Sequence, residues 1–201
     1  SWLTHSFGDV FLFLYPPPRA DGLVQTLTRE NAMRILVFGN SGSGKSTLAR
    51  RLAEAHGLQA LDLDTIVWEP GQVAVVRAPE AIAASLEAFL SSHERWVVEG
   101  CYGELVQAAA GRCTGLVFLN PGLATCHANN LRRPWEPHKY ASKAEQDAML
   151  APLQAWVAGY YHRDDAWSLA AHRRIFDAFP GPRHEVVDAQ GLDEWIRHPF
   201  A

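Results

Sequence analysis

From Met33 onward the chain alternates short apolar runs with longer stretches of helical periodicity, the pattern of an α/β domain built on a parallel sheet. Ile35-Leu36-Val37-Phe38 is continuously apolar, as a central strand covered on both faces must be. A helix is expected over 46–56, with Leu48 and Leu52 four residues apart and Gly57 placed to end it. Residues 60–63 read as a weaker second strand. Pro79 then suits a first helical turn, and Ile82, Leu86, Phe89 and Leu90 mark one face of the helix it opens. Trp96-Val97-Val98 and Leu116-Val117-Phe118-Leu119 read as buried strands, and 184–188 as a fifth. Helices are expected over 144–161, 166–179 and 192–197. No internal repeat or low-complexity tract interrupts this alternation.

Two stretches break the rhythm. Before Met33, the apolar run 10–15 is far shorter than the ~20 residues a spanning helix needs, and it ends at Pro16-Pro17-Pro18, a stiff polyproline spacer. No basic leader or nearby small-residue cleavage site accompanies it, so a secretory signal is not expected. Residues 1–32 are therefore expected to be an N-terminal extension outside the core, with a tag or an upstream mis-start equally open. Residues 33–201 form the expected domain. The second stretch, 127–143, is polar and carries Arg132, Arg133, Lys139 and two prolines. It reads as a mobile lid over phosphates or as an ordinary solvated loop.

Composition narrows the class. At 201 residues, 48% hydrophobic and 20% charged, the chain can bury a full core and fits one domain. A formal net charge of −4 argues against holding nucleic acid by bulk electrostatics. Cys101, Cys113 and Cys126 are odd in number and lack C-x-x-C spacing, which argues against a disulfide framework or a zinc site and for a reducing cytoplasm.

Gly39-Asn40-Ser41-Gly42-Ser43-Gly44-Lys45-Ser46 matches G-x-x-x-x-G-K-[ST] at every fixed position. At average glycine usage, a chance match in such a chain is on the order of one per cent. The expected strand before it and helix after it are the context the motif requires. Glycines let successive N–H groups point inward as an anion nest, and the helix starting near Lys45 turns its positive end to the same spot. Lys45 would then meet the β- and γ-phosphates of ATP, with the Ser46 hydroxyl ligating Mg²⁺ and Thr47 completing the binding segment.

Asp62-Leu63-Asp64 falls at the C-terminal end of the second strand. Strand alternation would send both carboxylates to one side, at the sheet edge where α/β ligands bind. Asp62 is a candidate to hold the metal through water, and Asp64 a candidate general base for an acceptor hydroxyl. Two solvated acids at a strand end are the plainer alternative. Glu99-Gly100 ends the next apolar strand in the same geometry. It is either an acid that orients metal-bound water or a strand-terminating turn.

Residues 33–68, with the phosphate loop and Leu63, Asp64 and Trp68, together with Val98-Glu99-Gly100-Cys101-Tyr102, resemble small P-loop kinases. The likeness extends over roughly 33–120. It is nearest to the adenylate kinase-like group labelled DNA topology modulation kinases, with shikimate kinases more distant. The resemblance implies a three-layer P-loop NTPase fold with a five-stranded parallel sheet, its first strand central, and a helical lid closing over ATP. It also implies that Asp62 and Asp64 serve metal and substrate, and that Arg132 and Arg133 act as lid arginines neutralising the transferring phosphoryl group; helix-surface arginines are the plainer reading. Arg77-x-x-Glu80 echoes a substrate arginine motif of the shikimate kinases. The glycine triplet of those enzymes is absent, and Glu99 and Cys101 depart from the Asp-Gly-Asn-Tyr of the nearer group. His172-Arg173-Arg174 is a candidate to approach the base or ribose, or a solvated helix face. Trp135, Trp156, Tyr160, Tyr161 and Trp167 could line an acceptor pocket or simply be core.

The sequence thus predicts an ATP- and Mg²⁺-dependent kinase acting on a small-molecule hydroxyl or a nucleoside phosphate, with no membrane partner. The competing class is a nucleotide-binding regulatory module that lacks catalysis. A GTPase is disfavoured: no Asn/Thr-Lys-x-Asp segment exists, and Asp188-Ala189-Gln190-Gly191 matches D-x-x-G only near the chain end.

Overall fold

The computed structural model describes residues 32–70, 75–137 and 140–201. The expected extension thus falls, but for Ala32, outside the described residues, as does Lys139. Five strands form one parallel sheet in the order β2-β3-β1-β4-β5: β1 (Arg34–Gly39), β2 (Gln59–Asp62), β3 (Trp96–Gly100), β4 (Gly115–Leu119) and β5 (Arg183–Val186). The first strand is central, and the architecture is the α/β three-layer P-loop NTPase fold. The helices are α1 (Lys45–His56), α2 (Asp64–Val67), α3 (Pro79–Ser92), α4 (Gly103–Ala110), α5 (Leu123–Leu131), α6 (Lys143–Ala148), α7 (Leu150–Gly159), α8 (Leu169–Ala178) and α9 (Leu192–Arg197).

The layering follows from the alternation within β1. Leu36 and Phe38 join Leu63, Ile82, Leu86, Trp96, Val98, Leu116 and Phe118 on one face of the sheet, beneath α3, α4 and α8. Ile35 and Val37 join Leu48, Leu52, Val97, Val117 and Ile196 on the other, beneath α1 and α9. Strands covered on both faces have no polar side to show, and β1, β3 and β4 are buried almost throughout. Helix boundaries obey local chemistry. Gly57 ends α1 at φ 64° and Pro79 opens α3 at N1, both as the sequence predicts.

Three expected boundaries shift. The helix expected over 144–161 is two helices meeting at Met149, because Pro152 has no N–H to bond back across the junction. The helix expected to open at 166 starts instead at Leu169, where the Ser168 hydroxyl caps it by accepting from the N–H of Ala171 at 3.1 Å. Residues 127–131, assigned from sequence to the polar cover, are the last turns of α5. Only the described residues beyond Leu131, 132–137 and 140–142, are irregular before α6. Among the described residues, no helix is long and apolar enough to cross a membrane.

Leu86 is fully buried in α3 against the sheet. Leu86→Ala should lower the unfolding free energy by about 2–5 kcal/mol, measured by urea denaturation; an unchanged midpoint would contradict this packing.

Candidate active site

The first strand ends in a turn only glycine can make. Gly39 has φ 151° and Gly42 φ 78°. A Cβ on Gly39 would lie 2.3 Å from the Leu119 carbonyl oxygen, and one on Gly42 2.4 Å from that of Cys126. Side groups cannot fit there, so the loop backbone lies directly against β4 and α5. Asn40, 2% exposed, staples the loop. Its Nδ2 donates to the Val157 carbonyl at 3.0 Å, and its Oδ1 accepts from the Ser41 N–H at 2.8 Å. The Asn129 Nδ2 donates to the Gly42 carbonyl at 2.8 Å, tying α5 to the same loop. Helix α1 starts at Lys45 with no side-chain cap and no acid in its first turn. Its positive end is left open to an anion.

A cleft of about 880 Å³ opens over this loop. It is lined by residues 41–48 and by Asp62, Asp64 and Glu99, and on its other sides by Arg132, Arg133 and the loop that follows β5. The structure therefore brings the phosphate loop, the acidic residues and the two arginines singled out from sequence to one place. Lys45 is buried, and its Nζ donates to the Asn40 carbonyl at 2.9 Å. Arg133 pairs with Glu136 at 3.4 Å.

The acids differ from expectation in how they arrive. Asp62 ends β2, but the chain turns at Leu63, and Asp64 is the first residue of α2. The two carboxylates share the cleft through this turn and not through strand alternation. The Asp62 Oδ1 accepts from the Asp64 N–H at 2.8 Å, so one acid positions the backbone of the other. Asp64 Oδ1 in turn accepts from the Tyr102 hydroxyl at 2.5 Å, and that hydroxyl accepts from Trp68 Nε1 at 2.8 Å. Burial, followed by the nearby Asp64 charge, pushes the Tyr102 phenol well above its ordinary value. It stays protonated and donates to Asp64.

Glu99 is the penultimate residue of β3 and is 4% exposed. Burial raises its carboxyl to about 7, with Asp62 and Asp64 adding to the rise, while Lys45 and a hydrogen bond with Ser46 oppose it. Among the described residues, no three His, Cys, Asp or Glu side chains form a metal-binding group on their own. Mg²⁺ does not need one, since it is held by one or two carboxylates together with substrate phosphates. Ser46, exposed to the cleft, and Asp62 supply the hard oxygen donors that suit it.

Several expectations find another place in the structure. His172 is fully buried and far from a solvated helix face. Its Nε2–H donates to the Cys101 carbonyl at 3.0 Å, and its Nδ1 accepts from the Tyr160 hydroxyl at 2.8 Å. Burial lowers its pKa to about 3, so the ring is a neutral brace behind the end of β3. Arg173 forms a two-pronged pair with Glu185 at 2.8 and 2.7 Å, and Arg174 is exposed. Arg77 donates to the Ile66 carbonyl at 2.9 Å and to Ser85 Oγ at 3.4 Å. The guanidinium pins α2 to α3.

Of the aromatic residues, Tyr160 is core. Trp156 and Trp167 pack edge to face at 6.1 Å, with the Arg163 guanidinium 4.1 Å above Trp156. Trp135 is exposed. Sequence reasoning missed the part played by Tyr102, and it missed Asn129. The neighbouring Asn130 is 5% exposed with both amide atoms lacking a protein partner. Two adjacent asparagines inside an amphipathic helix were the available signal. It also missed the end of β5 and the residues just after it, where Val186–Ala189 line the cleft.

No curated protein matches the chain. Among solved structures, it is similar to a gluconokinase from Sinorhizobium meliloti 1021 at 20% identity, covering 84% of this chain and 90% of that one, with a TM-score of 0.46. A sugar kinase from Janibacter sp. HTCC2649 aligns at 15% identity over 82% and 90%, TM-score 0.44. A shikimate kinase from Acinetobacter baumannii, in complex with shikimate, aligns at 21% over 72% and 92%, TM-score 0.37. The AAA domain family matches residues 35–144, more than half of the sequence. With the phosphate loop, its central strand and the opposing acids all inside that span, the chain belongs to the AAA domain family.

Proposed function

We propose that the chain is an ATP-dependent kinase that transfers the γ-phosphoryl group to an oxygen of a small-molecule acceptor. The observation that carries this reading is the convergence of the phosphate loop, Lys45 and the acids Asp62, Asp64 and Glu99 on one cleft. A loop that only gripped a nucleotide would have no use for a carboxylate held by a buried phenol.

Each residue has a role the geometry supports. Residues 39–47 enclose the phosphates with backbone N–H groups, and Lys45 exchanges the Asn40 carbonyl for phosphate oxygens. Ser46 and Asp62 would hold Mg²⁺, which when bound supplies charge neutralisation between the β- and γ-phosphates. Arg132 and Arg133, which line the same cleft, would neutralise charge on the transferring group. Asp64 receives the acceptor's proton while Tyr102 keeps its carboxylate oriented. Positioning and electrostatics then do most of the catalysis.

Titration calorimetry with MgATP, followed by ADP release across an acceptor panel, tests the reading. Tight MgATP binding with no turnover on any acceptor would make the chain a regulatory module instead. Lys45→Ala should lower turnover at least about 100-fold; full activity in that variant would refute the assignment. Tyr102→Phe should lower kcat by about tenfold, the equivalent of one hydrogen bond to a charged group, with the Kd for MgATP unchanged. An effect on Kd alone would place Tyr102 with the nucleotide.

Glu99 yields a pH prediction. The folded chain keeps a proton there up to about 7, whereas the unfolded chain releases it near the ordinary carboxylate value. The stabilisation is therefore complete below the unfolded pKa and is lost as pH rises through the folded one. Glu99→Gln should match the parent in urea denaturation near pH 4 and exceed it at pH 8 by on the order of 3 kcal/mol. A gap that stays constant with pH would contradict the buried, proton-holding carboxyl.

A further inference from the structure

Phosphate or carboxylate acceptors need cations on the acceptor side of the cleft. Between Asp62 and Thr114, the segment that carries the cleft acids Asp62, Asp64 and Glu99, the basic side chains are Arg77, His93, Arg95 and Arg112. Each is engaged elsewhere. Arg77 holds the Ile66 carbonyl and Ser85. His93 Nδ1 lies 2.9 Å from the Phe89 carbonyl. Arg95 donates to the His56 carbonyl at 2.8 Å, beyond the start of β3 and so at the opposite end of the sheet from Glu99. Arg112 pairs with Glu87 at 2.6 Å on the outer surface. The four residues of this segment outside the described set, 71–74, are Gly-Gln-Val-Ala and add no cation.

What the segment does present to the cleft is Asp62, Asp64 and Glu99. The remaining arginines of the cleft stand with the nucleotide. Arg132 and Arg133 follow directly on α5, which Asn129 ties to the phosphate-loop carbonyl of Gly42. Arg51 lies on α1 and pairs with Asp193 of α9 at 2.6 Å. Among the described residues that line the cleft, basic groups thus gather where ATP would lie and acidic groups where the acceptor would. A second anion placed there would meet the Asp64 carboxylate and would have no donor fork among the described residues of that side to replace its lost water.

Resting on the kinase reading above, we propose that the acceptor is a hydroxyl compound that carries no phosphate and no carboxylate, a polyol or sugar in chemical class. Carboxylates are good acceptors of sugar hydroxyl hydrogen bonds, and they leave an anion without a partner. In the transfer, the acceptor oxygen bonds to the γ-phosphorus and its proton passes to Asp64. The bond from the γ-phosphorus to the β–γ bridging oxygen breaks, and ADP leaves with that electron pair. The products are ADP and a phosphomonoester, so the chain supplies the first charged form of its acceptor and does not act on one already charged.

The test uses the full chain. Calorimetry with MgATP comes first: no binding there rejects the kinase reading itself. ADP release is then followed with matched probes, namely glucose against gluconate and glucose 6-phosphate, and adenosine against AMP. The uncharged member of at least one set should stimulate release about tenfold more than its anionic counterparts; faster release with an anionic member overturns the proposal while leaving the kinase reading intact.

A second measurement decides the matter even if no probe turns over. Diadenosine pentaphosphate joins ATP to a second nucleotide phosphate, and an acceptor half built for anions would bind it hundreds of times tighter than ATP through linkage, on the order of the usual gain. The charge arrangement predicts a Kd within about threefold of that for ATP, and a hundredfold tighter Kd overturns it.

Discussion

The contact between the Gly39 backbone and the Leu119 carbonyl is the constraint on which the site depends. With a would-be Cβ only 2.3 Å from that oxygen, the turn after β1 is wedged against the end of β4, and every later feature inherits its position. Lys45 begins α1 because the loop ends there. The Asn40 amide reaches Val157 because the loop is pressed inward, and α5 reaches Gly42 because β4 runs beside β1. The sheet acts as a ruler: its register places Glu99 beside Val37 and Leu119 beside Gly39, one at each side of the phosphate loop.

On that frame the charges are arranged by burial as much as by number. Lys45 and Glu99 are both largely hidden from water, and the proton on Glu99 is the response of a carboxyl to a dry place with acids as neighbours. Asp64 lies nearer solvent but is tethered by Tyr102, itself fixed by Trp68 and packed edge to face against Trp167 at 5.7 Å. A short polar chain thus runs from the cleft into an aromatic cluster, where Trp167 Nε1 also donates to Glu104 Oε2 at 3.2 Å. His172 gives β3 similar support, neutral and hydrogen-bonded at both nitrogens.

Much of this was legible in the sequence. The unbroken apolar run of β1, the Leu48 and Leu52 stripe, Pro79 and Gly57 each carry a local signal strong enough to survive folding. The phosphate loop is a motif whose function and backbone geometry are the same thing. The misreadings have specific causes. The turn at Leu63 hides in an apolar residue that looks like strand, so the pattern alone carries β2 one residue too far and sets Asp64 by strand alternation. The helix break at Met149 comes from the missing N–H of Pro152, three positions later. His172, followed by two arginines, looks solvated, and only the tertiary approach of Cys101 and Tyr160 makes it core. Tyr102 and Trp68 stand 34 residues apart, and no periodicity links residues that meet only after β2 and β3 pair.

The central place of β1 also orders events in time. Its partners β3 and β4 follow it by some 60 to 80 residues, and Asn129 lies further on still. Chain growth at the ribosome therefore delivers the nucleotide loop long before the strands that clamp it. A nascent chain cut short before Leu119 has the full signature motif and no cradle, since non-local pairing of this kind must wait for its second half.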